Sequence, residues 1–146
     1  MSEHVAGRRP TRGGAHPIYS ALLPVPIVCF IGALFTDWAY TASPDMMWID
    51  FSSWLLLAGL IVGGIALAVL AIKLFRTDRR GPLGLHFLLL GAAWVVELFN
   101  SFVHTRDGWT AVEPTGITLS VIAVILSLAA GWVWQSFAHG RSGDIR

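Results

Sequence analysis

The sequence predicts an all-α integral membrane protein, a bundle of four membrane-spanning helices with both termini in the cytoplasm. Three observations predict it. Hydrophobic residues make up 55% of the chain, charged residues only 13%, and the mean hydropathy is +0.65. A soluble domain carries about 25% charged residues. Four apolar stretches are each long enough to cross a bilayer as a helix, which takes about 20 residues. Finally, nine of the ten Lys and Arg residues fall on one side of the topology that those stretches imply.

The chain divides into a basic tail over residues 1–15, a membrane domain over 16–140 and a second tail over 141–146. The first tail carries Arg8, Arg9 and Arg12. The first span runs over about 19–40. No small-residue cleavage site follows it, because Asp37, Trp38 and Tyr40 occupy that region, so an uncleaved helix is expected. Pro24 and Pro26 make residues 16–26 an irregular lead-in. Trp38 and Tyr40 read as interfacial aromatics. Residues 41–50 read as a loop.

The second span covers about 51–75 and contains Gly59-x-x-x-Gly63 and Gly64-x-x-x-Ala68. Small residues at this spacing let helix backbones approach closely. Lys73 near its end can extend its ammonium toward the headgroups. An Arg-rich loop follows. The third span covers about 83–104 and the fourth about 115–137, with a small-residue pair at Ser127 and Gly131. Four spans put both termini and the Arg-rich loop on one side, leaving only Arg106 on the other. The positive-inside rule makes the basic side cytoplasmic.

The third span is the informative one. Its polar residues His86, Glu97, Asn100 and His104 are spaced by eleven, three and four. At about 100° per residue these steps return to one face. Such groups are costly in hydrocarbon and face other helices or a water-filled cavity. Topology then sorts the polar residues into two layers. His16, His86 and His139 lie toward the cytoplasm; Asp37, Glu97, Asn100 and His104 lie toward the opposite side. His86 and His104 are about 27 Å apart along a helix, so no single cofactor or metal serves both layers.

Each layer suggests a chemistry. His16 and His86, from different helices at one depth, would suit the axial positions of a b-type haem. A mononuclear metal site would need His139 as well. Asp37 and Glu97 would suit a proton-coupled carrier, with Asn100 and His104 completing a polar network. The alternative for that network is structural, fixing the register of helix one against helix three. The absence of an internal inverted repeat argues against a carrier fold of the common kind. Cys29, the only cysteine, lies in an apolar run and excludes both an intramolecular disulfide and a multi-cysteine metal centre. No nucleophile–base pair, phosphate loop or nucleotide fingerprint is present, so no catalytic set is recognisable. The Arg cluster at 76–80 suits anionic lipid rather than nucleic acid.

The run His16-Pro-Ile-Tyr-Ser-Ala-Leu-Leu-Pro-Val-Pro-Ile27 resembles the His-Pro-x-His-x-x-Leu-Val-Pro-Phe-Pro-Ile opening of a family of small bacterial membrane proteins, domain of unknown function 2231. The resemblance continues through Asp37, Ser53-Trp-Leu-Leu-Leu-Ala-Gly59, His86, Asn100, Arg106-Asp107, Leu119-Ser120 and Gly131-Trp132. It implies a four-helix protein of the bacterial inner membrane. Relatives that look fused or adjacent to redox modules favour the haem reading. Tyr19 stands where the family's opening has its second His, and Lys73 stands where many members carry Asp. A metal or proton role relying on either group is therefore not carried over. The function expected overall is that of an accessory or assembly subunit of a respiratory or photosynthetic membrane complex. Its expected partners are membrane lipids and either copies of itself or a larger complex.

Overall fold

The computed structural model describes residues 17–77, 81–105 and 112–143, and these are helical but for short turns, with no strand among them. The elements are α1 (Pro17–Leu22), α2 (Pro24–Ala42), α3 (Met46–Phe75), α4 (Gly81–His104) and α5 (Ile117–Gly143), with one π-helical turn over Val112–Gly116 before α5. Four stretches are long and apolar enough to span a membrane: Ile18–Ala42, Met46–Phe75, Gly81–His104 and Pro114–Ser136. Consecutive helices pack as neighbours, and α5 returns against α2 to close a ring of four.

The lead-in is more regular than the prolines suggest. Leu23 keeps right-handed helical angles, φ −58° and ψ −40°. Its N–H still donates to the Tyr19 carbonyl at 3.0 Å. Pro24 and Pro26 fall in the opening turn of α2, where backbone N–H groups have no helical partner to lose. The 41–50 loop is also shorter than expected. The Asp45 carboxylate accepts from the Met47 N–H at 3.0 Å, and this cap starts α3 at Met46, so only Ser43–Asp45 remain as a turn. At the other end α5 continues to Gly143, so residues 141–143, expected in the second tail, are helical.

The core obeys one period throughout. Buried positions on α2 are Pro26, Phe30, Ala33, Asp37 and Tyr40. On α4 they are Leu83, His86, Leu90, Ala93, Glu97, Asn100 and His104. Ser120, Ala123, Ser127, Ala130 and Trp134 are buried on α5. All of these recur in steps of three and four, the seam pattern of packed helix bundles. Other apolar side chains face outward; Val28, Trp54, Leu88 and Ile125 are more than half exposed. In a membrane that surface meets lipid.

Gly59 and Gly63 act within the bundle. A methyl group on Gly59 would lie 2.6 Å from the Phe30 ring, and one on Gly63 would lie 3.1 Å from Trp94. The indole N–H of Trp94 donates to the Leu60 carbonyl at 2.8 Å, tying α4 to α3 beside this contact.

Candidate functional site

Near the α2 C-terminus, all four spanning helices contribute polar side chains to one cluster. Asp37 of α2 is its centre and is 1% exposed. Oδ1 of Asp37 accepts from the Ser52 hydroxyl of α3 and lies 2.9 Å from Nε2 of His104 on α4. Oδ2 accepts from the Ser120 hydroxyl of α5 at 2.9 Å. The Asn100 amide donates to Ser120 Oγ at 2.8 Å and to Glu97 Oε2 at 3.0 Å. Ser120 therefore joins a Glu97–Asn100 half to an Asp37–His104 half.

Imidazole geometry restricts the protons. His104 Nδ1 is 3.0 Å from the Asn100 carbonyl, which only accepts, so Nδ1 carries a hydrogen. The proton between Nε2 and Asp37 Oδ1 can rest on either partner, giving an ion pair or a neutral pair with the same heavy-atom positions. Glu97 Oε1 and Asn100 Oδ1 are buried with no protein hydrogen-bond partner among the described residues. Beyond the cluster, Tyr40, Ile49 and Val112 form a small apolar core that closes this end of the bundle.

A second cluster lies toward the other end. Tyr19 donates its hydroxyl to His86 Nε2, and His86 Nδ1–H donates to the Ala130 carbonyl at 2.8 Å. The Trp134 ring packs edge-on to Tyr19, with centroids 4.7 Å apart, and tilted against His86 at 5.4 Å. The Lys73 ammonium sits 5.1 Å from the Tyr19 ring centre and 5.6 Å from that of Trp134, within the range of cation–π attraction. Lys73 thus turns toward the bundle end instead of only reaching for headgroups. Tyr19, Leu23, Ala66, Leu70, Leu83, Leu90, Ala130 and Trp134 form the main apolar core around this pair.

A family model described as "Predicted membrane protein (DUF2231)" matches residues 15–139, most of the chain and every side chain of both clusters. The chain belongs to the DUF2231 family. No curated protein and no solved structure matches it. In this DUF2231 chain Tyr19 and Lys73 lie against each other.

Asp37, Glu97, Asn100 and His104, picked out from the sequence as one network, meet in one buried cluster. His16 lies outside the described residues, as does the side chain of His139. His86 fits poorly as a haem ligand in this arrangement. Its hydrogen is held by Ala130 and its lone pair by Tyr19, so iron at Nε2 would have to displace the tyrosine hydroxyl. Among the described residues, no three His, Cys, Asp or Glu side chains converge to hold a metal ion.

Two polar members were not anticipated from their chemistry. Ser52 and Ser120 are small hydroxyls inside apolar spans, where serine is ordinary. Their signal is positional. Ser52 falls three after Ile49 and four before Leu56 on the buried seam of α3, and Ser120 falls three before Ala123 on that of α5.

Proposed function

We propose that this DUF2231 protein binds and releases protons within the membrane, using Asp37, His104 and Glu97, and that it does so in proton-coupled carriage. One observation carries the reading: the Asp37 carboxyl group is the shared hydrogen-bond partner of side chains on the three other helices. A carboxylate can accept from all three, whereas a carboxylic acid must also donate. Adding a proton therefore changes which helices are tied together. This is the property that a coupling device needs, and a plain packing contact lacks it. A subunit of a larger respiratory or photosynthetic assembly could use the same site, since the network lies inside the bundle and the outward surface stays free for partners.

The test is proton flux. In sealed vesicles carrying the purified protein and an internal pH dye, a potassium diffusion potential should drive proton entry faster than in protein-free vesicles. Asp37→Asn should return the rate to the protein-free level. Wild-type protein that adds nothing to the vesicle leak would remove the reading.

We also propose that both termini face the cytoplasm in the bacterial inner membrane. The basis is the placement of nine of ten Lys and Arg residues on the terminal side. A fluorescent protein that matures only in the cytoplasm, fused after Arg146, should light up. A dark fusion at normal expression would reverse the topology.

A further inference from the structure

The two polar clusters occupy the same seam between α4 and α5, with a third buried polar group between them. Ser127 is 1% exposed, and its hydroxyl has no protein hydrogen-bond partner among the described residues. Glu97 Oε1 and Asn100 Oδ1 share that condition and lie on the same seam. Three orphan oxygens in one line are unusual, because buried polar groups are normally satisfied by protein or by ordered water.

The register gives their spacing. Asn100 meets Ser120, and His86 meets Ala130, so the two helices run antiparallel past each other. Measured along the helices at about 1.5 Å per residue, Glu97 is about 4.5 Å inward of the Asn100–Ser120 contact, and Ser127 about 6 Å further. The Ala130 carbonyl, which holds His86, is about 4.5 Å beyond Ser127. Glu97 meets the Asn100–Ser120 contact directly, through the Asn100 amide at 3.0 Å; the two inner steps, Glu97 to Ser127 and Ser127 to the Ala130 carbonyl, have the length of bridges of one or two waters. The side chains flanking Ser127 on the seam are Ala93 and Ala123, both fully buried.

We propose that Ser127 is the midpoint of a water-bridged hydrogen-bond path along the α4–α5 seam, through which protons pass between the His86–Tyr19 pair and Glu97. This rests on the proton-binding reading above and adds the route. The groups in play are Tyr19, with the Lys73 ammonium over its ring, and His86 at the inner end. Glu97, Asp37 and His104 lie at the outer end. From α5 the described residues facing the path are the serines and the Ala130 carbonyl.

The hop balances. Tyr19 passes its hydroxyl proton to His86 Nε2 and takes another from the inner side. His86 gives up its Nδ1 proton to a water at the Ala130 carbonyl. That water passes a proton by way of Ser127 to Glu97 Oε1, leaving His86 with its hydrogen on Nε2. The reverse pass restores the tautomer: Glu97 returns a proton by the same route to Nδ1, Nε2 gives its hydrogen to Tyr19, and Tyr19 releases one to the inner side, so successive passes exchange the Glu97 proton with solvent without net loss or gain.

The experiment is hydrogen–deuterium exchange of the Glu97 carboxyl group by infrared spectroscopy. It uses the full chain in vesicles of phosphatidylcholine and phosphatidylglycerol, with the band assigned by its loss in Glu97→Gln. Wild-type and Ser127→Thr, which keeps the hydroxyl, should exchange alike. Ser127→Ala should slow Glu97 exchange by about tenfold, the rate equivalent of about 1.4 kcal/mol, while Asp37 and His104 exchange at the wild-type rate. Glu97 exchanging as fast in Ser127→Ala as in wild type would overturn the path. So would a wild-type Glu97 that stays protiated while Asp37 exchanges. Failure of Asp37 and His104 to exchange in any variant would instead count against the proton-binding reading itself.

Discussion

Asp37→Ala is expected to destabilise the bundle by about 2–5 kcal/mol. The lower figure comes from three interhelical hydrogen bonds, each worth about 0.6 kcal/mol in a membrane protein. The upper figure is the cost of removing one partner from a buried charged pair, about 3–5 kcal/mol. The larger value applies to the extent that His104 is left charged and alone in the interior, since Asp37 is its 2.9 Å partner. The mechanism makes a second prediction that a simple loss of packing would not. Removing both members, in Asp37→Leu with His104→Leu, should recover much of the loss, because apolar replacements leave nothing unsatisfied. Reversible unfolding in mixed detergent micelles reads both. A double variant as unstable as the sum of its parts would show that the pair does not act as a unit.

Tyr19→Ala should cost about 3–5 kcal/mol, the range for emptying a buried aromatic site. Tyr19 is fully buried and touches three helices beyond its own. Its ring packs on Trp134 of α5 and under Lys73 of α3, and its hydroxyl satisfies His86 of α4. Tyr19→Phe separates these contributions. The ring contacts survive and only the hydrogen bond is lost, so about 1 kcal/mol is expected. The same unfolding measurement applies. Equal losses for the two variants would place the stabilisation in the hydroxyl rather than the ring.

Much of this architecture is legible in the sequence, because membrane insertion is governed by composition and span length. The polar face of the third helix is legible for the same reason. Four polar groups on one stripe in hydrocarbon have to face inward, and His86, Glu97, Asn100 and His104 do so. Helix ends are less legible. Asp45 caps α3 through a local hydrogen bond that hydropathy does not register, and the prolines of α2 are harmless only because they sit in an opening turn. Partners are least legible of all. That Tyr19 would occupy the lone pair of His86 depends on α1 lying where its tyrosine reaches across to α4, a fact of tertiary structure. Ser52 escapes notice because a hydroxyl in a membrane helix is common, and Ser120 stands out only within the Leu119-Ser120 pair of the family resemblance; for both, the place in the three–four repeat reveals where the hydroxyl points.

The polar face of the third spanning helix meets the first in a buried carboxyl–imidazole pair. Solid-state NMR of the full chain in lipid, with ¹⁵N in histidine and ¹³C in aspartate, measures it directly. A strong dipolar coupling between His104 Nε2 and the Asp37 carboxyl carbon is expected, as a 2.9 Å nitrogen–oxygen contact requires, and its loss in Asp37→Asn or His104→Leu would only confirm the assignment. A folded wild-type protein with no such coupling would contradict it.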